Sequence, residues 1–248
     1  MHFSHDFALD RTFPARRIAL SWLLAVVLLF PAFMRGEEPN GQAKPVGGTP
    51  GWALEDGFRW LFDGKDFSRD WEGNTEWFRV EDGTVVAGSL ERSVPRNEFL
   101  CTRERFRDFE LRLEVRLRGQ GKNAGVQFRT ARLPGHHEVS GYQADVGVAF
   151  QRSVWGALYD ESRRKKMLAE GPAEKVNAWT KEGDWNALWI SAVGPRIRIW
   201  LNGHQTVDYT EKDEAIADEG IIGLQIHSGP PTEALYRNIR VRVLESRP

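Results

Sequence analysis

From Phe109 to Arg118 the chain alternates without a break. Phe109, Leu111, Leu113, Val115 and Leu117 are apolar, and Glu110, Arg112, Glu114, Arg116 and Arg118 are charged. A period of two predicts a strand with one buried and one wet face. A helix would scatter the same apolar residues around its circumference. Residues 123–129 continue as a strand after a turn through Gly121. Leu188, Ile190 and Ala192 then alternate with Trp189, Ser191 and Val193. Gly194 and Pro195 turn the chain into a strand on which Ile197, Ile199 and Leu201 share a face. Asn202-Gly203 predicts a tight hairpin, because both residues tolerate positive φ. Residues 221–226 and 239–244 complete the set.

Helical signals are few. Residues 161–170 read as a short helix or a charged loop, and 213–218 as one turn. Many strands punctuated by Gly, Asn and Pro, with almost no helix, predict an all-β fold: a two-sheet antiparallel β-sandwich of jelly-roll type. No repeat of fixed period is visible, so a propeller is not expected.

The N-terminal part has a different character. Arg16 and Arg17 precede an apolar run from Ile18 to Phe30, and charge returns at Arg35. A positive flank and an apolar run of about 7–15 residues describe a secretory signal. The run is short of the roughly 20 residues that span a bilayer. No clear small-residue cleavage site follows, so an uncleaved anchor through residues 18–33 stands beside the signal peptide. Both readings predict export, to the periplasm, the exterior or the outward face of a membrane. The expected division is 1–35 as signal or anchor, 36–51 as a Gly- and Pro-rich linker and 52–246 as one folded domain.

Composition narrows the partners. With 34 Lys and Arg against 35 Asp and Glu, the net charge is −1. Nucleic-acid binding needs a concentrated positive field and is not expected. Cys101 is the sole cysteine, so no internal disulfide can form. The ten Trp and fourteen Phe supply the large apolar area that such a domain needs.

Candidate chemistry concentrates in residues 141–164. Gly141-Tyr-Gln-Ala-Asp-Val-Gly147 and Trp155-Gly-Ala-Leu-Tyr-Asp-Glu-Ser-Arg-Arg164 mix rings, an amide, carboxylates and guanidiniums. Sugars are bound by such a mixture: rings stack on pyranose faces, and amides, carboxylates and Arg forks read hydroxyls. Strand parity sets Gln143 beside Asp145, with Tyr142 and Ala144 facing the core. Phosphate loops, nucleophile elbows and Cys/His metal clusters are missing from the sequence, and no metal or cofactor is assigned.

In order along the chain, ten short motifs resemble the 3-keto-disaccharide hydrolase domain family. They begin with Leu61-Phe-Asp-Gly-Lys-Asp66 and Trp77-Phe-Arg-Val-Glu-Asp-Gly83, and continue through Asp108-Phe-Glu-Leu111, Asn123-Ala-Gly-Val-Gln-Phe-Arg129 and Gly141-Tyr-Gln-Ala-Asp145. Gly156-Ala-Leu-Tyr159, Asp184-Trp-Asn186, Trp200-Leu-Asn-Gly203, Gly223-Leu-Gln-Ile-His227 and Tyr236-Arg-Asn-Ile239 follow. The resemblance implies a concanavalin A-like jelly roll and glycoside cleavage assisted by a keto group. Gln143 stands where many members have Glu, and the charged insert at 160–166 is a second departure.

A ketone at C3 of a sugar acidifies the hydrogen on C2. A base that removes it forms an enolate, which expels the group at C1; water then adds to the unsaturated product. One base, one stabiliser of the enolate oxygen and an acid for the leaving group suffice. Asp145 is the leading candidate for the base or a hydroxyl ligand. Arg129 is expected at the enolate oxygen or against Asp145, with a structural ion pair as the alternative. His227, on a face with Gln225, is a proton shuttle, a metal ligand or a hydrogen-bonded strand end. Gln143 and Gln225 are candidate sugar ligands. Trp155 and Tyr159 are stacking rings or core, and Glu161, Arg163 and Arg164 are a pocket rim or a solvated turn. An exported enzyme on a keto-modified glycoside is the leading reading. A non-catalytic carbohydrate-binding module and a surface adhesion domain are its rivals.

Overall fold

The computed structural model describes residues 54–245. The expected signal or anchor and the linker lie outside the described residues. The strands in chain order begin with Arg59–Trp60 (β1), Trp71–Glu72 (β2), Phe78–Glu81 (β3), Thr84–Ser89 (β4) and Glu98–Thr102 (β5). Next come Phe109–Gly119 (β6), Asn123–Arg132 (β7), Val139–Ala149 (β8), Arg152–Ser153 (β9), Leu158–Glu161 (β10) and Lys166–Ala169 (β11). After the helix Ala173–Trp179 (α1) follow Asn186–Val193 (β12), Arg196–Leu201 (β13), His204–Thr210 (β14), Ile221–Ile226 (β15) and Thr232–Val243 (β16).

These strands form two antiparallel sheets. One runs β14-β13-β12-β6-β16-β4-β3, with β1 beside β16; the other runs β11-β10-β8-β7-β15-β5-β2, with β9 beside β8. The sandwich is the one that the alternation predicts. Leu111, Leu113 and Val115 are buried on the inner face of the first sheet, and Ala124, Val126, Ile222 and Leu224 on that of the second. Each large apolar side chain so buried contributes about 1.5–3 kcal/mol. Phe109 meets Phe128 edge-on with 6.3 Å between ring centroids, and Phe128 stacks on Tyr142 at 5.7 Å. Asn202 and Gly203 turn the β13–β14 hairpin with φ of 48° and 84°, as their sequence predicts.

Residues 161–170 differ from the expectation of a helix or loop. β10 and β11 make a hairpin there, and Ser162 and Lys165 hold left-handed φ of 52° each, which ends helical geometry. Leu168 and Ala169 pack against the core. The helix falls instead at Ala173–Trp179, anchored by the buried Val176.

The outer face of the first sheet is occupied by its own side chains. The Arg112 guanidinium lies 4.8 Å from the Phe58 ring and 4.6 Å from that of Trp189. Trp189 stacks on Trp200 at 4.1 Å, and Arg198 lies 5.4 Å from Trp200. Arg240 donates to Glu55 and holds that carboxyl down at about 2. Rings and guanidiniums there are partnered by one another. The outer face of the second sheet carries a different set of groups.

Candidate active site

Pairing register places this site. Asp145 on β8 lies opposite Gly125 on β7, Gly125 opposite Gln225 on β15, and Gln225 opposite Phe99 on β5. In a parallel row, Tyr159 on β10 lies opposite Gln143, and Gln143 opposite Gln127. Directly opposed residues share a face. Tyr142, Ala144 and Val146 alternate into the core, so Gln143 and Asp145 face outward from the sandwich, side by side.

A directed chain of hydrogen bonds ends on Asp145. Thr130 Oγ1 donates to Gln127 Oε1 at 3.0 Å, Gln127 Nε2 donates to Gln143 Oε1, and Gln143 Nε2 donates to Asp145 Oδ1 at 2.5 Å. Gly125 makes this geometry possible: a Cβ there would lie 2.4 Å from Gln143 Cδ. Asp145 is only 5% exposed. Burial pushes its carboxyl up to about 7, against the Gln143 hydrogen bond that pulls it down; the nearby Glu161 adds to the rise. The carboxyl is thereby poised to exchange a proton near neutrality. Gln225 is fully buried in the same face, and both atoms of its amide lack a partner among the described residues.

Further titratable groups converge beside this row. Glu161 is half-buried; burial and the Glu138 carboxylate raise its pKa, and His227 opposes them. Ser162 Oγ donates to Glu138 Oε2 at 3.2 Å, and His137 Nε2 lies 3.4 Å from Glu138 Oε1. His227 Nδ1 is 2.7 Å from the Ser228 carbonyl oxygen. A carbonyl only accepts, so Nδ1 carries a proton and donates it there, which leaves Nε2 for another partner. Arg152, forked onto Glu170 at 2.8 to 3.1 Å, is close enough for its positive charge to act on Asp145. Among the described residues no group of three or more His, Cys, Asp or Glu side chains is arranged to hold a metal ion.

Arg129 does not join this site. Its backbone is left-handed, with φ of 45°, and the β7–β8 register shifts between Phe128 and Ala131. The bulge cancels the strand parity that would have set Arg129 beside Gln127. Its Nη2 donates to Asp108 at 3.0 Å, Nε to the Arg107 carbonyl and Nη1 to that of Gly194. It is the structural ion pair, not a partner of Asp145.

Trp155 is 6% exposed and part of the central core, so its ring is not a stacking platform. Arg163 and Arg164 also lie elsewhere. Both donate to Asp160, which is opposed to Tyr142 and therefore faces away from Tyr159 and Glu161. The Arg163 guanidinium lies 4.5 Å from the Tyr142 ring, and Arg164 donates to Glu211 at 2.6 Å. The structure thus brings together Asp145, Gln143, Gln225, Tyr159, Glu161 and His227, and sets Arg129, Trp155, Arg163 and Arg164 apart. It adds Gln127, Glu138 and Arg152. Gln127 was visible as a polar residue between the apolar Val126 and Phe128; its pairing with Gln143 depends on register between strands.

The profile of the 3-keto-alpha-glucoside-1,2-lyase-like domain matches residues 57–242. No curated protein matches the chain in sequence. Among solved structures, a candidate glycosyl hydrolase from Parabacteroides distasonis is 17% identical with a TM-score of 0.56, over 76% of this chain and 94% of that one. The carbohydrate-binding module CBM66 of Bacillus subtilis is 15% identical with a TM-score of 0.50, over 74% and 94%. The lumenal domain of VIP36, solved with calcium and a mannose-containing glycan, is 12% identical with a TM-score of 0.53, over 72% and 84%. At such identities these likenesses establish the lectin-like jelly roll. The profile match spans most of the chain and all but the ends of its folded part, and by it the chain belongs to the 3-keto-alpha-glucoside-1,2-lyase-like domain family.

Proposed function

We propose that this carbohydrate-related domain cleaves 3-keto glycosides by elimination and hydration, with Asp145 as the base. The observation that carries the reading is the buried Asp145 carboxyl, lifted to about 7 at the end of the Thr130–Gln127–Gln143 chain. In its ionised form it takes the proton from C2 of the sugar. The electron pair of that C–H bond moves onto the C3 oxygen, then returns to form the C1–C2 double bond as the C1–O bond breaks. Water adds across the double bond, and the net reaction is hydrolysis.

The remaining roles follow from placement. Glu161 has a raised pKa and stays protonated to higher pH, which suits it to protonate the leaving oxygen. The unpartnered Gln225 amide can donate to the enolate oxygen. The half-buried Tyr159, beside Gln143, offers a ring to the sugar face. His227 Nε2 can shuttle a proton on the Glu161 side.

A binding module is the second reading, favoured by the fold likeness to CBM66. Product analysis with 3-keto glycosides beside their unoxidised parents separates the two. The lyase reading expects cleavage of the keto forms alone; binding of sugars with no cleavage of any keto form selects the module. We further propose export through the segment that begins at Arg16, which periplasmic or extracellular recovery of the protein from an expressing bacterium would test.

A further inference from the structure

The strand that carries Gln143 and Asp145 runs on into a tight hairpin, β8 to β9, turned by Phe150 and Gln151. Both residues are left-handed, with φ of 50° and 61°. This is the type I′ geometry that Asn-Gly fills at least cost, and a bulky Phe there is strained. The same ring is 68% exposed, more than any other large hydrophobic side chain among the described residues. A strained backbone and an exposed ring both work against stability, and strain of this kind gathers at ligand-binding positions.

Contacts tie the hairpin to the site. The Arg152 guanidinium lies 5.5 Å from the Phe150 ring and forks onto Glu170. Arg152 and Glu170 are both near enough to Asp145 to act on its charge. Val148, 41% exposed, adds apolar surface beside the turn. The ring therefore stands at the end of the outer face where Asp145 lies.

We propose that Phe150 receives the group on the leaving side of the scissile bond, stacking on the apolar face of a second sugar ring or an aryl aglycone. Aromatic side chains present such an apolar face. Arg152, fixed by Glu170, borders that ring and faces its hydroxyls. The assignment of a leaving side rests on the function proposed above.

The test compares ligands that differ only in the leaving group: methyl α-glucoside, phenyl α-glucoside and an α-linked glucose disaccharide. Dissociation constants are measured by calorimetry on the unoxidised forms, and kcat and KM on the 3-keto forms. The double variant Phe150→Asn with Gln151→Gly keeps the turn and removes the ring. It should melt about 2–4 °C higher. It should bind the disaccharide and phenyl glucoside about tenfold more weakly, with the methyl glycoside changed by less than about twofold. Phe150→Tyr should retain the discrimination. Equal weakening for all three ligands, no weakening, or a wild type with no preference for the larger leaving groups would overturn the proposal. A wild type that prefers them in binding yet cleaves no keto form leaves the stacking intact and rejects the lyase. Cleavage without that preference does the reverse.

Discussion

Gln143 donates to Asp145 over 2.5 Å, two positions along one strand, with both side chains almost wholly buried. The bond stabilises the charged form of Asp145, while burial disfavours it more strongly, and the balance leaves the carboxyl at about 7. A base in this state is half-ionised near neutrality. The rate of C2 proton removal should therefore rise with pH through about 7 and level off above it. Gln143→Leu takes away the opposing hydrogen bond, so the midpoint should move up. A midpoint unchanged in a folded Gln143→Leu variant would detach Gln143 from the titration.

The same shift predicts a pH-dependent stability. Asp145 rises from an ordinary 3.8 to about 7 on folding. Between those values the folded state keeps a proton that the unfolded chain releases. The associated stability is fully present below the unfolded value and is lost as pH rises through about 7. Asp145→Asn should flatten that part of the stability curve, as read by denaturant midpoints at pH 5 and 8.

Arg129 should matter for folding. Its ion pair with Asp108 is buried on both sides, with 2% and 10% side-chain exposure. Arg129→Ala leaves a buried charge without its partner, which costs about 3–5 kcal/mol. Thermal melting should show the loss, and turnover per folded molecule should stay near that of the wild type.

Arg163→Ala and Arg164→Ala should leave KM for a keto glycoside unchanged. Their guanidiniums serve Asp160 and Glu211 on the side of Tyr142, away from Tyr159 and Glu161. Glu211 is partly shielded, which raises its pKa, but Arg164 and Tyr142 donate to it and hold it low. Losing Arg164 should lower the melting temperature. A large rise in KM for either variant would mean that these arginines do reach the sugar.

The strands could be read from the sequence because side-chain alternation is local. Leu111, Leu113 and Val115 announced their burial, and the parity of Gln143 and Asp145 placed both on one outward face. Arg129 escaped that logic because a bulge resets parity, and a bulge is decided by pairing with a second strand. The same holds for Gln127, whose contact with Gln143 exists only once β7 and β8 are in register. Arg163 and Arg164 were drawn to Asp160 by turn geometry at Ser162 and Lys165, which residue type did not reveal. Tyr159 and Glu161 share a face of β10, a strand that their residue types did not announce, because the charged run from Glu161 reads as a helix or a loop until β10 pairs with β8.

The most direct measurement follows hydrogen at C2 of a 3-keto glycoside in deuterium oxide, for the wild type and Asp145→Asn. The substitution preserves size and hydrogen-bonding reach and removes the basic charge. Loss of a general base typically costs about 10²–10⁴ in rate. The wild type should cleave the substrate and place deuterium at C2, while the folded variant should still bind sugar but lose both reactions by that factor. Exchange at the wild-type rate in Asp145→Asn would contradict the account and pass the role of base to Glu161 or His227.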